Sequence, residues 1–173
     1  MERYLTRAEG TRFTLTKHLN APRKLVFSVW TDPKHICNWW GPRMMKCPVA
    51  EIDLREGGKF TYTMQGQDGT NYPMNGVFTR VIMNEQLDSL IDLDPHPASW
   101  HDLLRSYYSG KDGTYDTDLT MNVNFADSDG GTLLTVVQEF KNAEMLQAFV
   151  KLGHNLGWKE TIERFEEIID SLK

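Results

Sequence analysis

From Asn142 to the C-terminus, large apolar residues recur on one helical stripe through Phe149, Trp158, Ile162, Phe165 and Ile169, and charged residues fill the opposite side. A helix patterned this way must bury its stripe against another layer. The chain before it supplies that layer, because its period is two. Ala50, Ile52 and Leu54 alternate with Glu51, Asp53 and Arg55, and Gly57-Gly58 turns the chain into Phe60, Tyr62 and Met64. A third run ends at Ile82 and a fourth spans Gln86 to Leu93. Leu119, Met121, Val123 and Phe125 begin a further hairpin whose turn is Asp127 to Gly131. The returning stretch, Thr132 to Phe140, is apolar on both parities, so a central strand or one covered on both faces is expected.

The N-terminal part is mixed. Residues 1–10 are polar and aperiodic and read as a flexible lead-in, with one domain over residues 11–173. Thr11 to Leu19 alternates as a strand. Asn20 as a cap, Pro22 and the spacing of Val26, Val29 and Trp30 predict a short helix, and Asp32-Pro33 starts a second that Gly41-Pro42 stops. Gly153 and Gly157 interrupt the C-terminal stripe. Glycine inside a helix costs about 1 kcal/mol relative to alanine, so a helix junction or a close backbone approach is expected there. Asp94 to Tyr115 has no sustained period and reads as a long loop of lid type. The class is α+β: a strand, two short helices, five or six antiparallel strands, then a long helix.

Charge and cysteine usage exclude several functions. A formal charge of -5 without a Lys/Arg cluster argues against a nucleic-acid partner. The longest apolar runs fall far short of the ~20 residues that span a bilayer, and the first residues lack the apolar core of a secretion signal. Cys37 and Cys47 form neither a disulfide framework nor a zinc spacing, so reduced thiols in a cytoplasmic protein are expected. Monomer and homodimer both stay open.

Four motifs occur in a fixed order: Ala21-Pro22 with Val26-Phe27; Asp32-Pro33 with Trp39-Trp40-Gly41-Pro42; Asp53-Leu54-Arg55 with Gly57-Gly58-Lys59-Phe60; and Gly157-Trp158 with Ile162 and Phe165. Together they cover about Phe13 to Leu172. The chain resembles the START-like (SRPBCC) superfamily, and within it the family of the activator of heat-shock protein 90 ATPase C-terminal domain. The resemblance implies a helix-grip fold, with a curved antiparallel sheet of six to seven strands wrapped round the C-terminal helix and a cavity between them. It also implies a small hydrophobic or aromatic ligand. The family name implies a second reading, a co-chaperone-type module acting on a chaperone, and the superfamily a third, a cyclase- or dehydratase-like enzyme. A short connection would be implied where this chain has Asp94 to Tyr115.

Candidate ligand-binding residues are Trp39, Trp40, Met44, Tyr62, Met64, Phe78, Met121, His154 and Trp158, large side chains suited to an apolar guest held by shape. The competing account is that they fill a core. Glu51 and Asp53 share a strand face but oppose the apolar parity, which points them to solvent beside Arg55. His96 and His101 with Asp92, Asp94 and Asp102 lack ordered metal-ligand spacing, so no metal is expected. With no nucleophile triad, phosphate loop or dinucleotide fingerprint, no catalytic residue and no cofactor is expected, and a non-enzymatic role is favoured.

Overall fold

A computed structural model describes residues 4–110 and 115–173. Among these residues, one curved sheet of eight strands, all neighbours antiparallel, carries five helices on its inner face and rim. The strands are β1 (Tyr4–Glu9), β2 (Arg12–Leu19), β3 (Lys46–Ile52), β4 (Lys59–Gln65), β5 (Asn71–Ile82), β6 (Gln86–Asp92), β7 (Leu119–Ser128) and β8 (Gly131–Phe140). Their order in the sheet is β1-β2-β8-β7-β6-β5-β4-β3. The helices are α1 (Arg23–Thr31), α2 (Pro33–Trp39), α3 (Ala98–Tyr107), α4 (Ala143–Leu152) and α5 (His154–Ser171). Among the described residues no helix is long and apolar enough to cross a membrane.

The period-two pattern sets which side chains face inward. Phe13, Leu15 and Leu19 of β2, Met121, Val123 and Phe125 of β7, and Leu134 and Val136 of β8 are buried against the helices. Against them α5 buries Trp158, Ile162, Phe165 and Ile169. Lys17 shares the inward parity of β2 and reaches Glu166 of α5 at 2.8 Å, so a charge pair stands where the apolar layers would otherwise meet.

Local chemistry sets the helix ends. Pro33 forces Asp32 out of the helical region, ending α1, and the Asp32 carboxylate then accepts from the Lys34 N–H at 2.9 Å to start α2. Trp39 closes α2 with a fully buried ring and an indole N–H donated to the Val29 carbonyl at 3.0 Å. Asn142 caps α4 by accepting from the Met145 N–H. Gly153 then takes φ +104°, a left-handed conformation that separates α4 from α5 at the expected junction.

Several expectations change. Eight strands form, because residues 4–9 of the expected lead-in pair with β2 as an edge strand; residues 1–3 lie outside the described residues. Asn20 does not cap α1, whose N-cap is Pro22. The long loop contains α3, while residues 111–114 of it lie outside the described residues. β8 does lie inside the sheet between β2 and β7, as expected, and on its outer face only Leu133 is exposed.

Candidate functional site

The sheet and the helices enclose a cavity of about 380 Å³. Inward residues of the central strands form one wall: Met74 of β5, Ile91 of β6, Met121 of β7 and Gln138 of β8. The α4–α5 junction forms the facing wall with Phe149, His154, Gly157 and Trp158. Trp40 to Pro42 and Met45 make one rim, and His96 and Trp100, from the segment that carries α3, make another. No described lining residue is Asp, Glu, Lys or Arg.

The first rim is held from α5. The Arg164 guanidinium donates through Nη1 to the carbonyl oxygens of Gly41 at 2.7 Å, Pro42 at 3.1 Å and Met45 at 3.3 Å, and through Nη2 to Asn38 at 3.0 Å. Such charge-assisted bonds satisfy carbonyls that a turn leaves without helical partners. Arg43 adds outer pairs with Glu163 and Glu167. Gly41 is required in that turn, since its φ is +97° and a Cβ would stand 2.9 Å from Met64 Sδ.

Two hydrogen-bonded sets of polar groups stand out in the apolar lining. Gln138 Oε1 accepts from the Trp158 indole N–H at 3.1 Å and lies 2.7 Å from His154 Nε2. His96 Nδ1 lies 2.9 Å from the Pro73 carbonyl oxygen, with its ring 4.4 Å from that of Trp100. Burial among apolar neighbours pushes both imidazoles down, His96 to about 4 and His154 to about 4, so both are neutral at physiological pH.

Of the nine candidate residues, Trp40, Met64, Met121, His154 and Trp158 line the cavity. Trp39, Tyr62 and Phe78 belong to the packed core: Trp39 contacts Trp30 and Phe165, Tyr62 lies between Trp40 and Phe60, and Phe78 stacks on Phe60 at 4.7 Å. Met44 is 64% exposed, and its neighbour Met45 lines the cavity instead. Sequence reasoning passed over Gln138, Trp100 and Thr161 as lining residues, and weighed His96 only as a metal ligand.

Carboxylates lie elsewhere. Glu51 and Asp53 are exposed, and Asp53 pairs with Arg55 at 2.8 Å. His101 bonds the Tyr115 hydroxyl rather than joining His96. Asp92, Asp94 and Asp118 converge where β6 ends and β7 begins, and burial and then the neighbouring carboxylates raise the pKa of Asp118. Burial, followed by the neighbouring Cys37 thiol, pushes the Cys47 thiol up to about 12.

A family model described as activator of Hsp90 ATPase homolog 1-like protein matches residues 20–170. Among solved structures, a crystal structure of a Mycobacterium smegmatis protein is similar over 99% of this chain and 98% of its own, with TM-score 0.77 and 24% identity. A Nitrosomonas europaea protein matches over 94% and 96%, with TM-score 0.75 and 22% identity. The solution structure of an AHSA1-like protein from Aeromonas hydrophila covers 93% of each chain, with TM-score 0.68 and 21% identity. These likenesses carry the fold. No curated protein matches.

Proposed function

The chain belongs to the activator of Hsp90 ATPase homolog 1-like family, and from that premise we propose that it is a binding module for a small, predominantly apolar molecule held between the sheet and the C-terminal helices. The observation that carries this reading is the cavity itself: about 380 Å³, walled by methionine and aromatic side chains, with a few polar groups gathered on it. Small-molecule sites commonly have about 300–1,000 Å³ and this kind of lining. Each 100 Å² of apolar ligand surface removed from water contributes about 2.5 kcal/mol before the costs of association. The cysteines, both free, fit a reducing compartment such as the cytoplasm.

The cyclase-like alternative gains no acid–base pair from Glu51 and Asp53, which are exposed and do not line the cavity. The co-chaperone alternative rests on the family's name alone.

The test is to extract the purified protein with organic solvent for mass spectrometry, and to titrate the stripped protein with the uncharged dye N-phenylnaphthylamine. Trp40, Trp100 and Trp158 line the cavity, so energy transfer from tryptophan to bound dye reports occupancy. Saturable binding, lost in a folded Trp158→Ala variant, is the expected result. A protein that carries nothing and takes up no dye would remove the proposal.

A further inference from the structure

The cavity's own hydrogen bonds fix the protonation pattern of its polar groups, and this in turn defines a ligand. A backbone carbonyl can only accept, so His96 Nδ1, 2.9 Å from the Pro73 oxygen, carries the proton. In the neutral ring Nε2 is then a bare acceptor. An indole N–H can only donate, so the Gln138 atom 3.1 Å from Trp158 Nε1 is the amide oxygen, and the His154 Nε2 beside that oxygen must donate as well. Two hydrogen bonds therefore occupy the Gln138 oxygen, while its amide nitrogen has none.

Neither His96 Nε2 nor Gln138 Nε2 has a partner among the described residues, although the two residues are only 7% and 6% exposed. Among the described residues, the sealed, unpartnered side-chain atoms are Tyr4 Oη, Trp40 Nε1 and Thr117 Oγ1. Both nitrogens thus remain reachable, and both residues line the same cavity. An unpaired donor and acceptor in a largely apolar lining favour a guest whose own polar atoms complete them. The lining has no countercharge, so an ionised guest would lose its hydration uncompensated.

We propose that the cavity selects an uncharged molecule bearing an O–H or N–H that donates to His96 Nε2 and a carbonyl-type oxygen that accepts from the Gln138 amide. This deepens the ligand-binding reading above and rests on it.

The experiment measures dissociation constants for an acetylnaphthol, its methyl ether, the matching ethylnaphthol and the matching hydroxynaphthoate, at a slightly acidic pH where the naphthol is neutral. In the unmodified protein the acetylnaphthol should bind about fivefold to tenfold more tightly than either the methyl ether or the ethylnaphthol, as expected for one hydrogen bond each. The naphthoate should bind weakest. In His96→Phe the preference for hydroxyl over methyl ether should vanish, whatever the change in overall affinity; in Gln138→Met the acetyl preference should vanish. Equal binding of all four probes, tightest binding of the naphthoate, or a hydroxyl preference that survives His96→Phe would overturn the inference while leaving the cavity reading intact. If no probe binds, both fall together. The four-probe comparison on the unmodified protein decides the matter even if a variant fails to fold.

Discussion

Arg164 of α5 donates to the Gly41 carbonyl oxygen at 2.7 Å, tying the middle of the C-terminal helix to the turn that forms one rim of the cavity. Because the same guanidinium serves Asn38, Pro42 and Met45, one side chain holds the whole turn. Lysine has the charge but not the planar fork. Arg164→Lys should therefore destabilise the protein by about 1–3 kcal/mol in urea denaturation, and should speed dye release more than it slows dye uptake. An unchanged release rate would show that the turn does not depend on this clamp.

Gly157 makes a contrasting case. A Cβ there would meet only Pro42 Cγ at 3.9 Å, ordinary van der Waals contact, and the residue lies in the body of α5. Gly157→Ala should stabilise the fold by up to about 1 kcal/mol. It also adds a methyl to the cavity wall, so dye affinity should fall as the melting temperature rises. Parallel movement of the two would contradict its assignment to the lining.

Gly76 of β5 carries the Phe60 ring directly over its backbone, and an added Cβ would stand 2.0 Å from Phe60 Cζ. Gly76→Ala should cost about 1–3 kcal/mol by overpacking. A second change, Phe60→Leu, should be less harmful in the Gly76→Ala background than alone. A double-mutant cycle on denaturation midpoints checks the coupling, and strict additivity would count against it.

Acid should weaken the fold through the two cavity imidazoles. Burial lowers both His96 and His154 to about 4, whereas the unfolded chain binds these protons near 6.5. The unfolded state thus binds more protons between those values, and stability, fully present above about 6.5, is lost as pH falls toward 4. The loss is on the order of 3 kcal/mol per histidine. Stability measured from neutral pH to pH 4 should fall less steeply in His154→Phe than in the unmodified protein. Identical slopes would place the acid sensitivity elsewhere.

Much of this architecture was legible because burial imposes simple periods. The alternation of Leu119 to Phe125 and the stripe from Trp158 to Ile169 each name their own inward face, and Gly153 marks the helix junction by the only residue type that tolerates its φ well. β1 was not legible: an edge strand with most of its side chains in solvent has no apolar alternation to display. α3 was obscured by the prolines before it and the glycines after it, although Trp100, Leu104 and Tyr107 hold helical spacing.

In the cavity the limits were different. Met44 and Met45 are adjacent in a turn, where no period says which one points inward. Gln138 was hidden in a stretch read as apolar on both parities, yet it follows Leu134 and Val136 on the inward one. A polar residue on that parity was the available signal. Trp39, Tyr62 and Phe78 have the same composition as the lining residues, and only three-dimensional packing separates core from wall.

The helix α3 stands between two strands, β6 and β7, that are already hydrogen-bonded to each other from Gln86↔Asn124 to Ile91↔Leu119. Its segment contributes His96 and Trp100 to the chamber but no rung to the sheet. Such an arrangement separates the hydrogen-bonded frame from the fitting that faces the chamber. Exchanging that one insert is thus a route to a new binding preference that leaves the frame's strand pairing untouched.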